Sequence, residues 1–94
     1  MSDAVAEPTR IEMYATRHCP YCVMARRLLD SRGLSWAEVR VDHDPTARAI
    51  MEERSGRTSV PQIFLDGRHV GGYTDLLALS RSGELDAWLA QAPP

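Results

Sequence analysis

The chain has 94 residues, 44% of them hydrophobic and 26% charged, which suffices for one modest core and one domain. Eleven basic and thirteen acidic side chains leave a formal net charge of -2, so neither nucleic acid nor a membrane surface is indicated as a partner. No apolar run approaches the roughly 20 residues that span a bilayer.

Residues 1–9 lack the basic and apolar regions of a secretory signal; they are expected to form a flexible tail ahead of a single domain over residues 10–94. Ile11 to Tyr14 is a short apolar run and predicts a first strand. From Pro20 the period turns helical, with Cys22, Ala25, Leu28 and Leu29 on one face and Arg26, Arg27 and Asp30 elsewhere; Gly33 is a natural stop. Trp36 to Val41 alternates, with Ala37, Val39 and Val41 on one side, as a second strand would. Asp44 is placed to cap a helix with Pro45 at its first position; Ala47, Ile50 and Met51 share its apolar face and Gly56 closes it.

Gln62–Leu65 and Arg68–Val70 flank Asp66-Gly67, the strongest short signal for a hairpin, because both turn positions need positive φ. Gly71-Gly72 breaks the second of these strands. Thr74 is then the expected N-cap of a helix bearing Leu76, Leu77 and Leu79, and a last helix after Gly83 carries Leu85, Trp88 and Leu89 on one face. The order is β-α-β-α-β-β-α-α. A βαβ unit implies a parallel pair with a right-handed crossover, and the later hairpin adds antiparallel strands. The predicted class is therefore α/β, a mixed four-stranded sheet flanked by helices on both faces, which is the thioredoxin-like architecture.

Cys19 and Cys22 are the only cysteines. A disulfide between them would close almost no loop, so a structural staple gains little. Two cysteines without an export signal argue for a reducing compartment, and the expected location is cytoplasmic. A structural zinc would want four ligands, and only His18, His43 and His69 could complete the set, at irregular spacing; no metal is expected. Redox chemistry is the better reading. Attack on a disulfide needs a thiolate, which a free cysteine near pKa 8.5 mostly lacks at neutral pH. Cys19 directly precedes a helix opening at Pro20, where unpaired N–H groups and the positive dipole end favour the charged form. Cys22 lies nearly one turn inside the helix. Cys19 is thus the candidate nucleophile and Cys22 the resolving thiol.

Three segments in order carry a family resemblance, which runs from about Ile11 to Leu89. They are Cys19-Pro20-Tyr21-Cys22, Thr58-Ser59-Val60-Pro61-Gln62-Ile63-Phe64 and Gly71-Gly72-Tyr73-Thr74-Asp75-Leu76. The first resembles the active-site sequence of dithiol glutaredoxins, where the monothiol, cluster-binding branch has Cys-Gly-Phe-Ser. The second resembles the family's Thr-Val-Pro segment, whose proline is cis; the third resembles its Gly-Gly-x-x-Asp segment.

The resemblance implies an enzyme that uses glutathione as co-substrate to reduce glutathionylated or disulfide-containing proteins, acting as a monomer. It implies that the Val60 backbone beside Pro61 pairs with extended glutathione as a strand edge would. Thr74 and Asp75 then meet the γ-glutamyl carboxylate and ammonium. Tyr21 packs beside the tripeptide, and Tyr73, replacing a smaller residue, shapes the groove. One departure stands out: the family usually has Lys three residues before the nucleophile, and Thr16 is there instead. Arg17 is the nearest substitute for holding the glycyl carboxylate; Arg57 and Arg54 are further candidates, and His18 is a second source of local positive charge. Two alternatives stay open. One is a redoxin served by a flavin reductase or another low-molecular-weight thiol such as mycothiol, although the flavin-linked branch has Trp-Ser-Gly-Phe-Arg-Pro in place of Gly-Gly-Tyr-Thr-Asp. The other is a dimeric iron–sulfur carrier using Cys19 and glutathione as ligands, which Pro20 disfavours.

Overall fold

The structure is a computed structural model that describes residues 9–91; apart from Thr9, the segment expected to be a tail lies outside the described residues. Four strands and four helices follow in the expected order. They are β1 (Ile11–Ala15), α1 (Pro20–Ser31), β2 (Ala37–Arg40), α2 (Pro45–Ser55), β3 (Gln62–Leu65), β4 (Arg68–Gly71), α3 (Tyr73–Ser82) and α4 (Glu84–Ala90). The sheet order is β2-β1-β3-β4, with β1 and β2 parallel and the other pairs antiparallel. This is the thioredoxin-like arrangement.

The central strands are buried on both faces because their alternation feeds two cores. Ile11, Met13 and Ala15 of β1 and Ile63 and Leu65 of β3 point to one side, against Cys22, Ala25 and Leu29 of α1, Leu76 of α3 and Leu85 of α4. Tyr14 and Phe64 point to the other and pack with Val41, Ala47 and Met51. Their rings meet edge-on at 5.8 Å. The edge strand β2 is mostly exposed, so its alternation has less to bury than that of β1.

Local chemistry explains the boundaries. Asp44 caps α2 as expected, its Oδ1 accepting from Ala47 N–H at 3.0 Å. Asp66 and Gly67 have φ of 52° and 81°, the two positive values the hairpin requires. Two expectations are corrected. Ile50 is 46% exposed, because α2 covers the sheet with the Ala47–Met51 stripe and Ile50 lies off it. The N-cap of α3 is Gly72, and Thr74 sits inside the first turn. Asp75 supplies the cap from within, its Oδ2 accepting from Gly72 N–H at 2.9 Å. Arg10 closes the structure at the far end: it pairs with Asp66 through Nε and Nη2 at 3.0 and 2.7 Å and donates to the carbonyl of Leu89 at 2.9 Å.

Candidate active site

Cys19 is the N-cap residue of α1, its carbonyl accepting from Val23 N–H at 3.0 Å. Its side chain makes no bond to the helix amides; Sγ instead lies 3.7 Å from the carbonyl oxygen of Val60, to which the thiol S–H donates. Ionisation removes that donor and leaves the Val60 carbonyl free to accept from another chain. Val60 N–H has no partner among the described residues, and the Val60–Pro61 peptide is cis. A short stretch of backbone edge therefore faces Cys19.

Cys22 differs in every respect. It is fully buried in the larger core, and burial pushes its thiol up to about 11 from an ordinary value near 9. The Thr16 backbone and Arg26 act in the opposite direction, favouring the thiolate. Cys19, three residues away at the helix N-terminus, pushes the Cys22 thiol up further. Both are free thiols.

Beside Cys19 runs an open groove of about 350 Å³, lined by Tyr21, Arg57, Val60, Pro61, Thr74 and Asp75 among others. Seven of the groove candidates read from the sequence, Tyr73 among them, thus converge on one cavity. Tyr21 is 56% exposed and its ring lies 6.4 Å from that of Tyr73, so two aromatic rings border the opening. Asp75 is held below the usual carboxylate range by the Gly72 N–H, with Arg57 adding its own bond at 3.1 Å. At neutral pH the groove accordingly presents an anion and a cation side by side, with backbone N–H and C=O groups between them and Cys19.

Arg17 does not line this groove. Its backbone N–H donates to Asp42 at 3.2 Å, and Asp42 is also paired with Arg40, which holds the carboxyl far below its ordinary range. Arg54 lies on the opposite face of the sheet, stacked 4.0 Å over the Phe64 ring and bonded to Tyr14 Oη at 2.8 Å. His18 is exposed.

Two contributors were not read from the sequence. Gln62 is 1% exposed, yet its amide is satisfied: Nε2 donates to the Ser59 carbonyl at 3.1 Å and Oε1 lies 2.7 Å from His69 Nε2. Desolvation lowers the His69 pKa, and the pair braces the segment leading into Val60. The signal was a glutamine in an otherwise apolar strand. Arg26 is the second, and its periodicity on α1 suggested only a solvent-facing residue.

A cysteine at the N-cap of a helix, a buried second cysteine one turn on and a free backbone edge opposite make the site of a thiol–disulfide oxidoreductase of thioredoxin-like fold. Comparison with known proteins narrows this class. The glutaredoxin family model matches residues 11–70. Glutaredoxin 3 of Escherichia coli (strain K12) is 48% identical over 79 residues, covering 84% of this chain and 95% of that protein. The solution structure of glutaredoxin from Brucella melitensis superimposes with a TM-score of 0.74 at 43% identity, over 84% of this chain and 86% of that one. The crystal structure of a buckwheat glutaredoxin–glutathione complex gives a TM-score of 0.80 at 24% identity, covering 86% and 76%, a likeness of fold. The chain belongs to the glutaredoxin family.

Proposed function

We propose that the protein uses glutathione to reduce protein–glutathione mixed disulfides through Cys19, and protein disulfides through Cys19 with Cys22. The observation that carries this reading is the groove beside Cys19, which joins an unpaired Val60 backbone edge to the Arg57–Asp75 pair. Glutathione is an extended peptide with two carboxylates and an ammonium. Its backbone complements Val60, its ammonium Asp75 and a carboxylate the first turn of α3 with Arg57. The glutathione-bound buckwheat protein of the same fold supports the assignment.

In the first reaction the Cys19 thiolate attacks the glutathionyl sulfur and displaces the protein thiolate. A second glutathione thiolate then attacks the mixed disulfide, releasing glutathione disulfide and Cys19. The groove contributes by holding the glutathionyl half so that its sulfur is the one attacked. In the second reaction Cys19 attacks a protein disulfide, and Cys22 attacks Cys19 Sγ of the product and expels the substrate thiolate. Two glutathione molecules then reduce the resulting Cys19–Cys22 disulfide and leave as glutathione disulfide. The working setting we infer is a monomer in a reducing cytoplasm, since both thiols must be reduced to begin a cycle.

A glutathione-coupled mixed-disulfide assay tests the reading. Cys22→Ser is expected to retain turnover and Cys19→Ser to lose all of it. An active Cys19→Ser protein overturns the assignment, as does a wild type that only a flavin reductase can reduce.

A further inference from the structure

The wall behind the two cysteines is organised by a side chain that the reactions above leave unused. Arg26 lies on α1 one turn beyond Cys22, on the same side of the helix. Its Nη2 donates to the Thr16 carbonyl at 3.0 Å, and Nε and Nη2 together grip both oxygens of Glu38 on β2 at 2.9 and 2.7 Å. Glu38 is itself fixed by the Trp36 indole N–H at 3.1 Å. The Thr16 backbone also favours the charged form of Cys22. One guanidinium therefore ties helix, entry loop and edge strand together around the resolving thiol.

The remaining surroundings of Cys22 are apolar: Ala25 and Leu29 from its own helix, Ile63 from β3 and Leu76 from α3. The groups that bear on its charge are Cys19 and Arg26 on α1 and the Thr16 backbone, with Glu38 of β2 opposing Arg26. A thiol enclosed in this way is protected from adventitious oxidation, but it must ionise to act. We propose that Arg26 is a positioning residue for the resolving step, fixing the Thr16 backbone to α1 one turn from Cys22 and bringing positive charge to that thiol as it attacks. The inference rests on the dithiol route proposed above. In that step the Cys22 thiolate forms a bond to Cys19 Sγ while the bond from Cys19 to the substrate sulfur breaks. The electron pair leaves on the substrate sulfur, which takes up a proton, and the Cys22 proton has passed to solvent. Reduction of glutathione mixed disulfides by the monothiol route does not pass through this step.

Arg26→Ala and Arg26→Lys, each in the Cys19→Ser background, give a readout independent of turnover. The thiolate fraction of Cys22 at pH 9.5, followed by its 13Cβ chemical shift, is expected to fall about fivefold in Arg26→Ala. It should recover at least halfway in Arg26→Lys, which keeps the charge. With Cys19 restored, the ratio of protein-disulfide reduction to mixed-disulfide turnover should fall by about the same factor in Arg26→Ala. An unmoved Cys22 signal, or a lysine variant no better than alanine, overturns the proposal. A normal Cys22 response without any glutathione turnover leaves Arg26 in its role and refutes the glutathione reading instead.

Discussion

The two sides of the active site are built from different materials. In front of Cys19 the protein offers backbone edge, the exposed Tyr21 beside a half-buried Tyr73, and an Arg57–Asp75 pair open to solvent. Behind it, Cys22 sits in the core with a single guanidinium reaching in from the helix. The front is arranged to exchange partners, because each of its polar groups can trade an internal bond for one to a ligand at little cost. The back is arranged to hold still: Arg26 grips Glu38 with two bonds and the Thr16 carbonyl with a third, and Cys22 itself is fully buried. Cys19 and Cys22 are three residues apart in the chain, and the helix N-terminus sorts them into these two environments.

The sharpest way to break the front is Gly71→Ala. Gly71 has φ of +123°, and an added Cβ would stand 2.2 Å from Asp75 Oδ2. The backbone strain costs about 1–3 kcal/mol. The displaced carboxylate loses its bond to Gly72 N–H, adding about 1 kcal/mol. Stability by urea denaturation should therefore fall by about 2–4 kcal/mol. At temperatures where the variant is still folded, KM for a glutathionylated substrate should rise at least about tenfold, because Asp75 has moved. The environment of Cys22 should be unchanged, since no part of the back wall is touched.

How much of this contrast was legible in the sequence follows from what each residue depends on. Element order, hairpin and helix caps rest on local signals, and Asp44, Pro45 and Asp66-Gly67 serve where their chemistry demands. The groove residues were legible because a motif resemblance spans them. Gly72 as the cap of α3 was not, since Thr74 has the better capping side chain and only the path of Gly71-Gly72 decides which residue is used. Arg26 and Gln62 were missed for a different reason. Their partners are Thr16, Glu38, Ser59 and His69, and those of Arg26 are brought together only when β1 and β2 pair. The missing lysine at Thr16 is part of a broader fact: the chain contains no lysine, and all eleven basic residues are arginine.

The back can be sharpened by alkali. Because burial raises the Cys22 pKa to about 11 from near 9, the folded state keeps a proton that the unfolded chain has already released between those values. The unfolded state then binds fewer protons, so stability falls as pH rises. Below about pH 9 the full stability is present. Between about pH 9 and 11 the reduced protein is expected to lose about 1–3 kcal/mol relative to Cys22→Ser, measured by denaturant titration at each pH. Parallel curves for the two proteins would mean that Cys22 is solvated, and the contrast between the two sides would be lost.

The smallest effects come from the three arginines that the sequence put forward for one carboxylate, and together they test where the front ends. Arg57 borders the groove and already spends a bond on Asp75, half-exposed to water, so its hold on a ligand is screened. Arg57→Ala should raise KM for a glutathionylated substrate about threefold to tenfold and leave kcat nearly unchanged, the pattern of lost uniform binding. Arg54→Ala should do the reverse of what a binding residue does. Its guanidinium stacks on Phe64 and bonds Tyr14 beneath the sheet, so its loss should cost about 1 kcal/mol of stability with KM unmoved. Arg17→Ala should change neither by more than about 0.5 kcal/mol, because what Asp42 holds is its backbone N–H, which alanine retains. A KM defect in Arg17→Ala equal to that of Arg57→Ala would extend the front across the Thr16–His18 loop and restore Arg17 as the stand-in for the absent lysine.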